Sequence, residues 1–450
     1  MEKNLLLNAL SSEGYQDLRY ENVKKISIKS KNKEIQEVSV INKTGGHARA
    51  LCGGGYGTFS FNKPEDSGYA IRQCIKSSSL IPGTRNLAVV PVVNEKITIN
   101  PESDPRKVSI DEKKEVLLKY SSMLIDFEEI EIVEGEYYEQ LVDKIFVNNE
   151  GTNLEQEHLI CGMKFAITSK RGNLSQQTRL TMGGNENFAD MLNQEELVLA
   201  KAKQTVDLLS AKPVVGGIYD VIMDSDVGGL FIHEAFGHLS EADNLLGSPA
   251  LQKTMALGTK FGRDILNVID DPAMTDIPGS YIYDDEGVKG TRTYLIKDGV
   301  LAGRLHSRET ASVVCENATG HARAKDYSFT PIVRMGNIYI DKGPHSFEEM
   351  IKSIDNGIYI FGSAGGQTSG EMFTFAVQGG YIIKDGKITE MVRDLALSGN
   401  LFTTLENIEM IGDSVEFSKA GGCGKAGQIM ISSGKGSAPI KIKSMAIGGK

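Results

Sequence analysis

Hydrophobic and polar residues alternate with two different periods along the first 210 residues, and each period predicts one kind of secondary structure. Residues 34–41 have the two-residue period of a strand, and residues 130–182 are strand-rich with polar turns between the segments. Residues 108–128 and 194–209 are charged and amphipathic, with the longer period of a helix. We therefore predict a mixed α/β domain over residues 1–210.

The second half of the chain has shorter apolar runs and many glycines. Asp298-Gly299 and Asp385-Gly386 each separate two short apolar runs, which is the turn chemistry of a tight β-hairpin. Lys212-Pro213, followed by two glycines, predicts a boundary before this half. The predicted fold class is α+β, with the N-terminal mixed α/β domain followed by a mostly antiparallel, β-rich domain over residues 214–450 that carries the metal-site helix described below.

Composition and charge argue against several classes of partner. The 450-residue chain has a net charge of -10, whereas nucleic-acid-binding proteins need basic surfaces. No run of about 18 apolar residues is present to span a membrane, and the apolar run near the N-terminus is too short for a secretory signal. The 5 cysteines are scattered and unpaired, as is typical of reduced thiols. We expect a cytoplasmic protein with no nucleic-acid partner and no membrane partner.

One six-residue segment carries most of the chemical information. It reads His233-Glu234-Ala235-Phe236-Gly237-His238, in a chain with only 7 His, so a chance occurrence is improbable. Two imidazoles can hold a borderline-soft cation such as zinc, and a carboxylate beside them can take a proton from metal-bound water. The pattern predicts a hydrolytic metal site. Two core or solvated histidines beside a surface carboxylate are the alternative.

The two histidines are five positions apart, one more than in the common zinc proteases. On a regular α-helix, residues five apart point about 140° away from each other and cannot both face one ion. Either a π-type turn brings them together or the helix ends between them, and Gly237 suits both because it lacks a Cβ. We expect a strand over residues 219–224 before this helix, with Ser225 or Asp226 as the N-cap.

A catalytic zinc usually has three protein ligands and one open position. The candidates for the third ligand are Cys423, Cys315, His306, His321 and Glu241. Cys423 lies among glycines, which let the backbone approach a crowded metal centre, and Lys425 nearby would favour its thiolate. A lone cysteine is otherwise a small buried apolar residue. From the residues alone, Cys423 is equally well interpreted as a metal ligand and as a buried apolar residue.

Five further side chains are weaker candidates for supporting roles. His321, Arg323 and Tyr327 are candidates for stabilising an oxyanion. Glu241 and Asp243 are candidates for orienting the histidines through hydrogen bonds. A purely structural or solvated role is the open alternative for each of the five.

Several other blocks of sequence accompany the His-Glu segment in a particular order and spacing. They are Glu241 with Asp243, Asp284-Asp285-Glu286-Gly287, Arg334-Met335-Gly336-Asn337, Gly365-Gly366-Gln367 and Cys423-Gly424-Lys425-Ala426-Gly427-Gln428. With these blocks the chain resembles the TldD/PmbA family of metalloproteases, sometimes labelled modulators of DNA gyrase. The resemblance runs through nearly the whole chain and is strongest over residues 219–450. Gly336 departs from the family pattern, where threonine is more usual, and carries no ligand role.

The resemblance implies a metal site, a substrate class and a partner. It implies one zinc ion per subunit bound by His233, His238 and Cys423, with Glu234 as the catalytic base. It also places the chain in the TldD-type branch, because the PmbA (TldE) branch lacks the metal residues. The implied partners are a peptide or unfolded protein substrate, taken into an enclosed cavity as an added β-strand, and a second subunit, in a homodimer or in a heterodimer with a TldE-like chain.

Three hypotheses of function follow from the sequence. The first is a zinc-dependent peptidase that degrades or trims unfolded or short peptides. The second is a non-catalytic, metal-stabilised scaffold or a regulatory partner subunit. The third is a metal hydrolase that acts on another amide or ester.

Overall fold

In the computed structural model, which describes residues 2–419 and 421–449, the first half of the chain forms a seven-stranded sheet. The strands are β1 (Tyr15–Lys31), β2 (Glu34–Leu51), β3 (Gly57–Phe61), β4 (Asn94–Ile97), β5 (Ile130–Asn148), β6 (Asn153–Arg171) and β7 (Leu174–Asn185). The helices are α1 (Glu2–Ala9), α2 (Ser67–Ser79), α3 (Ile110–Ile125) and α4 (Glu195–Ser210), with 3-10 turns at Pro64–Asp66, Pro105–Lys107 and Phe188–Met191. The strand and helix segments predicted here all have the predicted type.

The first sheet is antiparallel through its centre, and its helices lie on one face. The strand order is β3-β2-β1-β5-β6, beyond which β4 and β7 pair with different stretches of β6. Leu117 and Leu124 of α3 and Val198 of α4 are fully buried against this sheet. Helix α3 begins at a capping box, because Ser109 and Glu112 exchange hydrogen bonds between side chain and backbone.

The second half of the chain consists of short strands and short helices. Its strands are β8 (Lys212–Pro213), β9 (Gly217–Met223), β10 (Val268–Asp270), β11 (Thr293–Lys297), β12 (Val300–Leu301), β13 (Ala322–Arg323), β14 (Ile332–Val333), β15 (Asn337–Ile340), β16 (Asn356–Ser369), β17 (Met372–Lys384), β18 (Lys387–Arg393), β19 (Ala396–Asn400), β20 (Ile408–Ile411), β21 (Glu416–Phe417), β22 (Cys423–Lys425), β23 (Gln428–Met430), β24 (Gly434–Ser437) and β25 (Ile440–Gly448). Its helices are α5 (Ser225–Phe231), α6 (Asp243–Leu246), α7 (Pro249–Thr254), α8 (Arg308–Val314), α9 (Phe347–Lys352) and α10 (Leu401–Glu406).

Two larger sheets and a common apolar core organise this half. The strands β16-β9-β25-β19-β17 close on themselves, because β16 pairs with both β9 and β17. The other sheet has the order β12-β11-β10-β15-β24-β21. Both predicted Asp-Gly hairpins are present: Asp298 and Asp385 have φ of 50°, and the glycines after them have φ of 75° and 70°.

The fold class is α+β with a β-rich C-terminal part, as predicted. Helix α4 ends at Ser210 and β8 begins at Lys212. The domain boundary between residues 210 and 214 stays a prediction from the sequence. Within residues 2–419 and 421–449, no helix is both long and apolar enough to cross a membrane.

Candidate metal centre

Strand β9 leads directly into the helix that carries the two histidines. Asp224 caps α5, since its Oδ1 accepts a hydrogen bond from the Val227 N–H at 2.8 Å. The prediction of Ser225 or Asp226 as the cap is wrong, because Asp224 is the residue whose backbone is still extended, with φ -68° and ψ 173°. The Asp226 carboxylate instead accepts hydrogen bonds from the N–H and the Oγ of Ser363 in β16, each at 2.7 Å.

Helix α5 widens before it ends, and the widening brings the histidines together. Ile232–Gly237 form a π-helix, and His238–Ser240 form a closing 3-10 turn. A π-turn joins residue i to residue i+5, so His233 and His238 lie on the same side of it. Their ring centroids are 5.4 Å apart, with the ring planes at 85°. The first of the two predicted solutions is therefore confirmed. We call residues 225–240 the histidine turn.

Gly237 is needed for space and not for an unusual backbone conformation. Its φ of -57° and ψ of -48° are ordinary for a helix. A Cβ at this position would lie 2.1 Å from the Met335 Sδ and 2.9 Å from the Ile338 Cδ1. The absence of a side chain thus allows the histidine turn to pack directly on β15 and the residue pair before it.

Cys423 reaches the site on a short hairpin, which we call the cysteine hairpin (residues 423–430). Strands β22 and β23 pair so that Cys423 lies opposite Met430. The turn between them is formed by Ala426 and Gly427, with φ of 48° and 76°, which is the two-residue turn favoured in tight hairpins. The hairpin places the thiol of Cys423 in the core that also contains the apolar residues of α5.

The structure brings His233, His238 and Cys423 to one point. One ligand atom from each of the three lies within 4.8 Å of those of the other two. The Sγ of Cys423 is 3.5 Å from the Nε2 of His238. His233 and Cys423 are only 1% and 5% exposed. Both ring nitrogens of His233 are buried with no hydrogen-bond partner in the described parts of the chain.

A buried arginine holds the cysteine hairpin by its backbone. Arg334, which is 1% exposed, donates hydrogen bonds to the carbonyl oxygens of Cys423 at 2.8 Å and Gln428 at 3.1 Å. The Gln428 side chain accepts a hydrogen bond from the Lys325 N–H at 2.9 Å and donates one to the Thr330 carbonyl at 3.1 Å. Both strands of the hairpin are therefore fixed to the loop and strand pair over residues 325–334.

Lys425 connects the cysteine hairpin to the histidine turn. Its Nζ lies 3.0 Å from the Oε2 of Glu241 and 2.6 Å from the Oδ1 of Asp243. The same Oε2 of Glu241 accepts a hydrogen bond from the Nδ1 of His238 at 2.9 Å. Lys425 thus bonds to two carboxylates, contacts that its sequence position near Cys423 did not predict. This arrangement leaves the Nε2 of His238 directed at Cys423.

The two histidines differ in their affinity for a proton. Burial lowers the pKa of His233 well below its ordinary value, and the positive charges of His238, Lys435 and Arg334 lower it further. Burial also lowers the pKa of His238, but hydrogen bonds with Cys423 and Glu241 outweigh burial and raise it to about 10. The point between His238 and Cys423 therefore attracts positive charge, and a proton and a metal ion would compete for it.

Glu234 directly follows His233 in the π-helix, and its side chain has no partner among the described residues. It is the half-buried residue of a π-helix whose other members are buried. No hydrogen bond or ion pair joins its side chain to any residue within 2–419 or 421–449. A carboxylate without a protein partner is free to exchange a proton with a bound molecule.

The other candidates for the third ligand lie in different surroundings. Cys315 is exposed. The ring nitrogens of His306 bond to Thr310 at 3.1 Å and to Glu316 at 2.9 Å. Glu241 lies behind His238 as a hydrogen-bond partner of its Nδ1. Of the five candidates, the structure brings Cys423 together with His233 and His238.

The three candidates for an oxyanion role each bond or pack within the protein. The Nε2 of His321 is 3.0 Å from the Oδ1 of Asp270, and both residues are fully buried. Arg323 donates to the carbonyl oxygens of Met335 at 2.9 Å and Ser432 at 2.6 Å. The Tyr327 ring lies against Gly45 of β2, where an added Cβ would be 2.3 Å from the ring.

The acidic block 284–286, to which the sequence assigned no role, lies where the two halves of the chain meet. Glu286 pairs with Arg49 of β2 at 3.0 Å and accepts a hydrogen bond from the Arg308 N–H at 2.8 Å. Asp285 pairs with Arg19 of β1 at 3.6 Å and with Lys144 of β5. These ion pairs are buried, so they fix the first sheet to the second half. Sequence spacing alone could not reveal ion-pair partners at least 141 positions away.

A cavity of about 480 Å³ lies between the first sheet and the second half. It is lined by strands β1, β5 and β6 on one side and by residues 272–285 and 323–326 on the other. None of His233, Glu234, His238 and Cys423 lines it. Met430, the strand partner of Cys423, does line it, so the cysteine hairpin borders the cavity.

Comparison with known protein families decides the relationship that the motifs suggest. The family model of the PmbA/TldA metallopeptidase C-terminal domain matches residues 216–449, which is more than half of the chain. The chain belongs to the PmbA/TldD metallopeptidase family. The model of PmbA/TldA metallopeptidase domain 1 matches residues 17–81. The predicted family is therefore confirmed.

Curated relatives in the PmbA/TldD family carry metalloprotease names. A metalloprotease of Synechocystis sp. is 37% identical over 442 residues, which cover 98% of this chain and 96% of the relative. A metalloprotease of Methanocaldococcus jannaschii is 33% identical over 92% of this chain and 93% of its own length. A zinc metalloprotease TldD homolog of Saccharolobus solfataricus is 31% identical over 70% of each chain. These names indicate a metalloprotease.

Solved structures of similar fold support the same architecture. A proposed modulator of a DNA gyrase from Thermotoga maritima MSB8 aligns over 99% of each chain with a TM-score of 0.82 and 20% identity. TldE from Thermococcus kodakarensis aligns over 99% of each chain with a TM-score of 0.79 and 18% identity. At such low identities the likeness concerns the α+β fold.

Proposed function

We propose that this PmbA/TldD chain is a zinc-dependent peptidase that degrades or trims unfolded or short peptides, with Glu234 as the catalytic base. One observation carries the proposal: His233, His238 and Cys423 converge to within 4.8 Å, and Glu234, the next residue after His233, is half-buried with no partner among the described residues. Two metal-binding imidazoles, a thiol and a free carboxylate are the groups that metal-assisted hydrolysis requires.

The donor set fits zinc. Zinc takes imidazole nitrogen and thiolate sulfur together, and three protein ligands leave one position open. A buried imidazole with both nitrogens unbonded is costly unless one of them binds a cation, and His233 is such a ring. Glu241 fixes the tautomer of His238 in the way that carboxylates fix metal-binding histidines. These three residues would hold one zinc ion per subunit.

The metal, Glu234 and Cys423 would have different roles in the reaction. When bound, zinc supplies a Lewis acid that polarises the scissile carbonyl and makes water more acidic. Glu234 would accept the proton of the attacking water and then deliver it to the leaving amine. The thiolate of Cys423 puts more negative charge at the site than a third imidazole would. The added negative charge would make the attacking water less acidic, so its proton transfer to Glu234 becomes more important.

The cavity between the two halves is the proposed place for part of the substrate. Its volume of about 480 Å³ is in the range of ligand-binding clefts. Residues 157–160 of β6 line it between the stretches that pair with β4 and β7, so β6 has an unpaired edge there. An extended peptide can bond to such an edge through its backbone, which would tolerate many sequences.

Partner and location follow from the same proposal. We propose that the chain works as a dimer, either with a second copy or with a TldE-like chain, since TldE of Thermococcus kodakarensis shares the fold. We also propose a cytoplasmic location, because all five cysteines are free thiols, and one of them is a proposed ligand that oxidation would inactivate.

Metal analysis of the purified chain tests the ligand set. We expect about one zinc per chain in the unaltered protein and in Cys315→Ala, whose thiol is exposed and remote from the site, but little zinc in Cys423→Ala. Full zinc content in Cys423→Ala would contradict the proposed ligands.

The substitution Glu234→Gln tests catalysis separately from metal binding. We expect retained zinc and a loss of peptide cleavage of about 100-fold or more, because a glutamine cannot accept the proton. Unchanged behaviour in every assay would favour the scaffold hypothesis. Mass spectrometry of products from a mixed peptide pool separates peptide cleavage from hydrolysis of another amide or ester.

A further inference from the structure

Strand β24 packs against the histidine turn through one of its two faces. A Cβ at Gly228 would lie 2.7 Å from the Oγ of Ser437, which belongs to β24. A Cβ at Gly237 would lie 2.9 Å from the Cδ1 of Ile338, which belongs to β15, the parallel neighbour of β24. The side chains of both strands at these positions therefore face the histidine turn.

Lys435 lies on this same face of β24. Side chains two residues apart on a strand point to the same side of the sheet, and so do those of residues directly paired across strands. Lys435 is two residues before Ser437 and is paired with Ile338, so its side chain also points toward the histidine turn. Its positive charge is one of those that lower the pKa of His233, as expected for an ammonium group near that ring.

The ammonium group of Lys435 has no partner in the protein. The residue is half-buried, and no hydrogen bond or ion pair joins its Nζ to any other residue in the described part of the chain. Two other basic side chains near the ligands are already engaged: Arg334 donates to backbone carbonyl oxygens, and Lys425 bonds to two carboxylates. A lysine ammonium group has three donors, so Lys435 can bind an anionic oxygen.

The proposed peptidase reaction needs a group of this kind. Negative charge develops on the oxygen of the scissile carbonyl when water attacks, and donors aimed at that oxygen stabilise it. The three candidates predicted for this role, His321, Arg323 and Tyr327, bond or pack elsewhere in the protein. A thiolate at Cys423 would also reduce the positive charge that offsets the charge on this oxygen.

We propose that Lys435 binds the negatively charged oxygen that forms on the scissile carbonyl group. The role assigned to Lys435 rests on the proposed peptidase function and adds a residue to it. The ammonium group donates a hydrogen bond to this oxygen and keeps its protons, while Glu234 accepts the proton of the attacking water as the new C–O bond forms. The carbonyl group then re-forms as the C–N bond breaks, and Glu234 delivers the proton to the leaving amine.

The kinetics of zinc-loaded Lys435→Met test the proposal. We expect kcat to fall about 100-fold with little change in KM, because the lost interaction forms only in the transition state. Lys435→Arg keeps the charge and should restore part of the rate. Lys443→Met is the matched control, because Lys443 is an exposed lysine on strand β25, and it should keep full activity. An unchanged kcat in Lys435→Met overturns the proposal.

Peptides with free and with amidated C-termini distinguish the oxyanion from the substrate's terminal carboxylate. We expect equal losses of kcat in Lys435→Met for both kinds of peptide. A rise in KM confined to peptides with a free C-terminus would assign Lys435 to the terminal carboxylate and overturns the proposal. Zinc content should stay at about one per chain, because a nearby ammonium group opposes the binding of a cation. Loss of zinc from Lys435→Met would indicate a structural role and also overturns the proposal.

Binding of a phosphinate peptide tests Lys435 without turnover. Such a peptide carries a tetrahedral, negatively charged phosphorus group in place of the scissile amide, as a mimic of the transition state. Calorimetry with the zinc-loaded chains should show at least tenfold weaker binding to Lys435→Met than to Lys443→Met, and equal binding overturns the role of Lys435. Absence of peptide cleavage by the unaltered chain would contradict the proposed function, whereas the phosphinate result decides the contact with Lys435.

Discussion

The histidine turn and the cysteine hairpin bring ligands to the same point by different physical means. The histidine turn is anchored by apolar packing: Val227, Phe231 and Phe236 are fully buried in the main core. The cysteine hairpin is held by polar contacts, and its outer side is open, with Ile429 68% exposed. Arg334 and Lys425 supply the main polar contacts. Two of the proposed ligands are thus fixed by apolar packing, and the third is fixed by a few buried charged groups.

This difference predicts different responses to mutation. Damage to the histidine turn should reduce the stability of the whole second half, because that turn is part of its core. Damage to the contacts of the cysteine hairpin should mainly reduce metal affinity, because the hairpin buries fewer apolar side chains than the histidine turn does. Substitutions in both regions test this contrast.

Gly237→Ala should be the most damaging of these substitutions. The added methyl would lie 2.1 Å from the Sδ of Met335, which is 1% exposed, so the Met335 side chain or the histidine turn must shift within the core. We expect a loss of about 3 kcal/mol in the free energy of unfolding, measured by urea denaturation. Gly247→Ala is the control, because its Cβ would meet nothing within 4 Å, and a loss for Gly237→Ala as small as for this control would contradict the packing described here.

Arg334→Met should reduce metal affinity more than it reduces the stability of the histidine turn. The substitution removes the donors to the carbonyl oxygens of Cys423 and Gln428, so the hairpin is less well positioned. We expect zinc affinity to fall by roughly 10–100-fold, measured by competition with a chelator of known affinity. Arg263→Met, on the surface, should leave the affinity unchanged. Equal affinities in both variants would show that Arg334 does not position the ligand.

The histidine turn shows how much of the site could be predicted from sequence. The i to i+5 spacing and Gly237 are local features, so they predicted a widened turn, and the structure contains one. The role of Cys423 could not be deduced in the same way, because 185 positions separate it from His238 and only the resemblance to a family connected them. Local signals also predicted the fold class and the Asp-Gly hairpins.

The polar contacts that hold the cysteine hairpin, and the ion pairs between the two halves of the chain, could not be predicted from the sequence. The sequence predicted that Lys425 would favour the thiolate, but it gave no sign that Lys425 bonds to Glu241 and Asp243, because these contacts depend on distances in the folded chain. Block 284–286 gave no local signal either, because its partners are Arg19, Arg49 and Lys144 in the first sheet. Pairings of this kind depend on tertiary structure and leave no periodic pattern.

Lys425→Met should reduce the affinity for zinc about tenfold. The substitution leaves the buried carboxylate of Glu241 without its cation, which weakens its hold on the Nδ1 of His238. Chelator competition measures the change, and Lys443→Met, at an exposed position, is the control. Equal zinc affinity in the two variants would mean that the Lys425 bridge has no part in ordering the ligands.

Asp224→Asn should give the smallest effect, and one that depends on pH. Burial raises the pKa of Asp224 to about 6 from an ordinary 3.8, and Asp226 adds to the rise. A raised pKa means that this carboxyl contributes stability below pH 3.8 that is lost as the pH rises through about 6. Asparagine caps helices equally well but does not titrate.

We therefore expect the stability of Asp224→Asn relative to the unaltered chain to increase by about 1 kcal/mol between pH 4 and pH 5. Urea denaturation at several pH values measures it, with the exposed Asp413→Asn as the control. A constant difference across this range would contradict the burial of a titrating cap at the start of the histidine turn.

X-ray absorption at the zinc edge of the metal-loaded chain tests most directly whether both regions supply ligands to one ion. We predict one sulfur at about 2.3 Å and two imidazole nitrogens at about 2.0 Å, with the sulfur lost in Cys423→Ser. A first shell of nitrogen and oxygen alone, or a sulfur that persists in Cys423→Ser, would contradict the account.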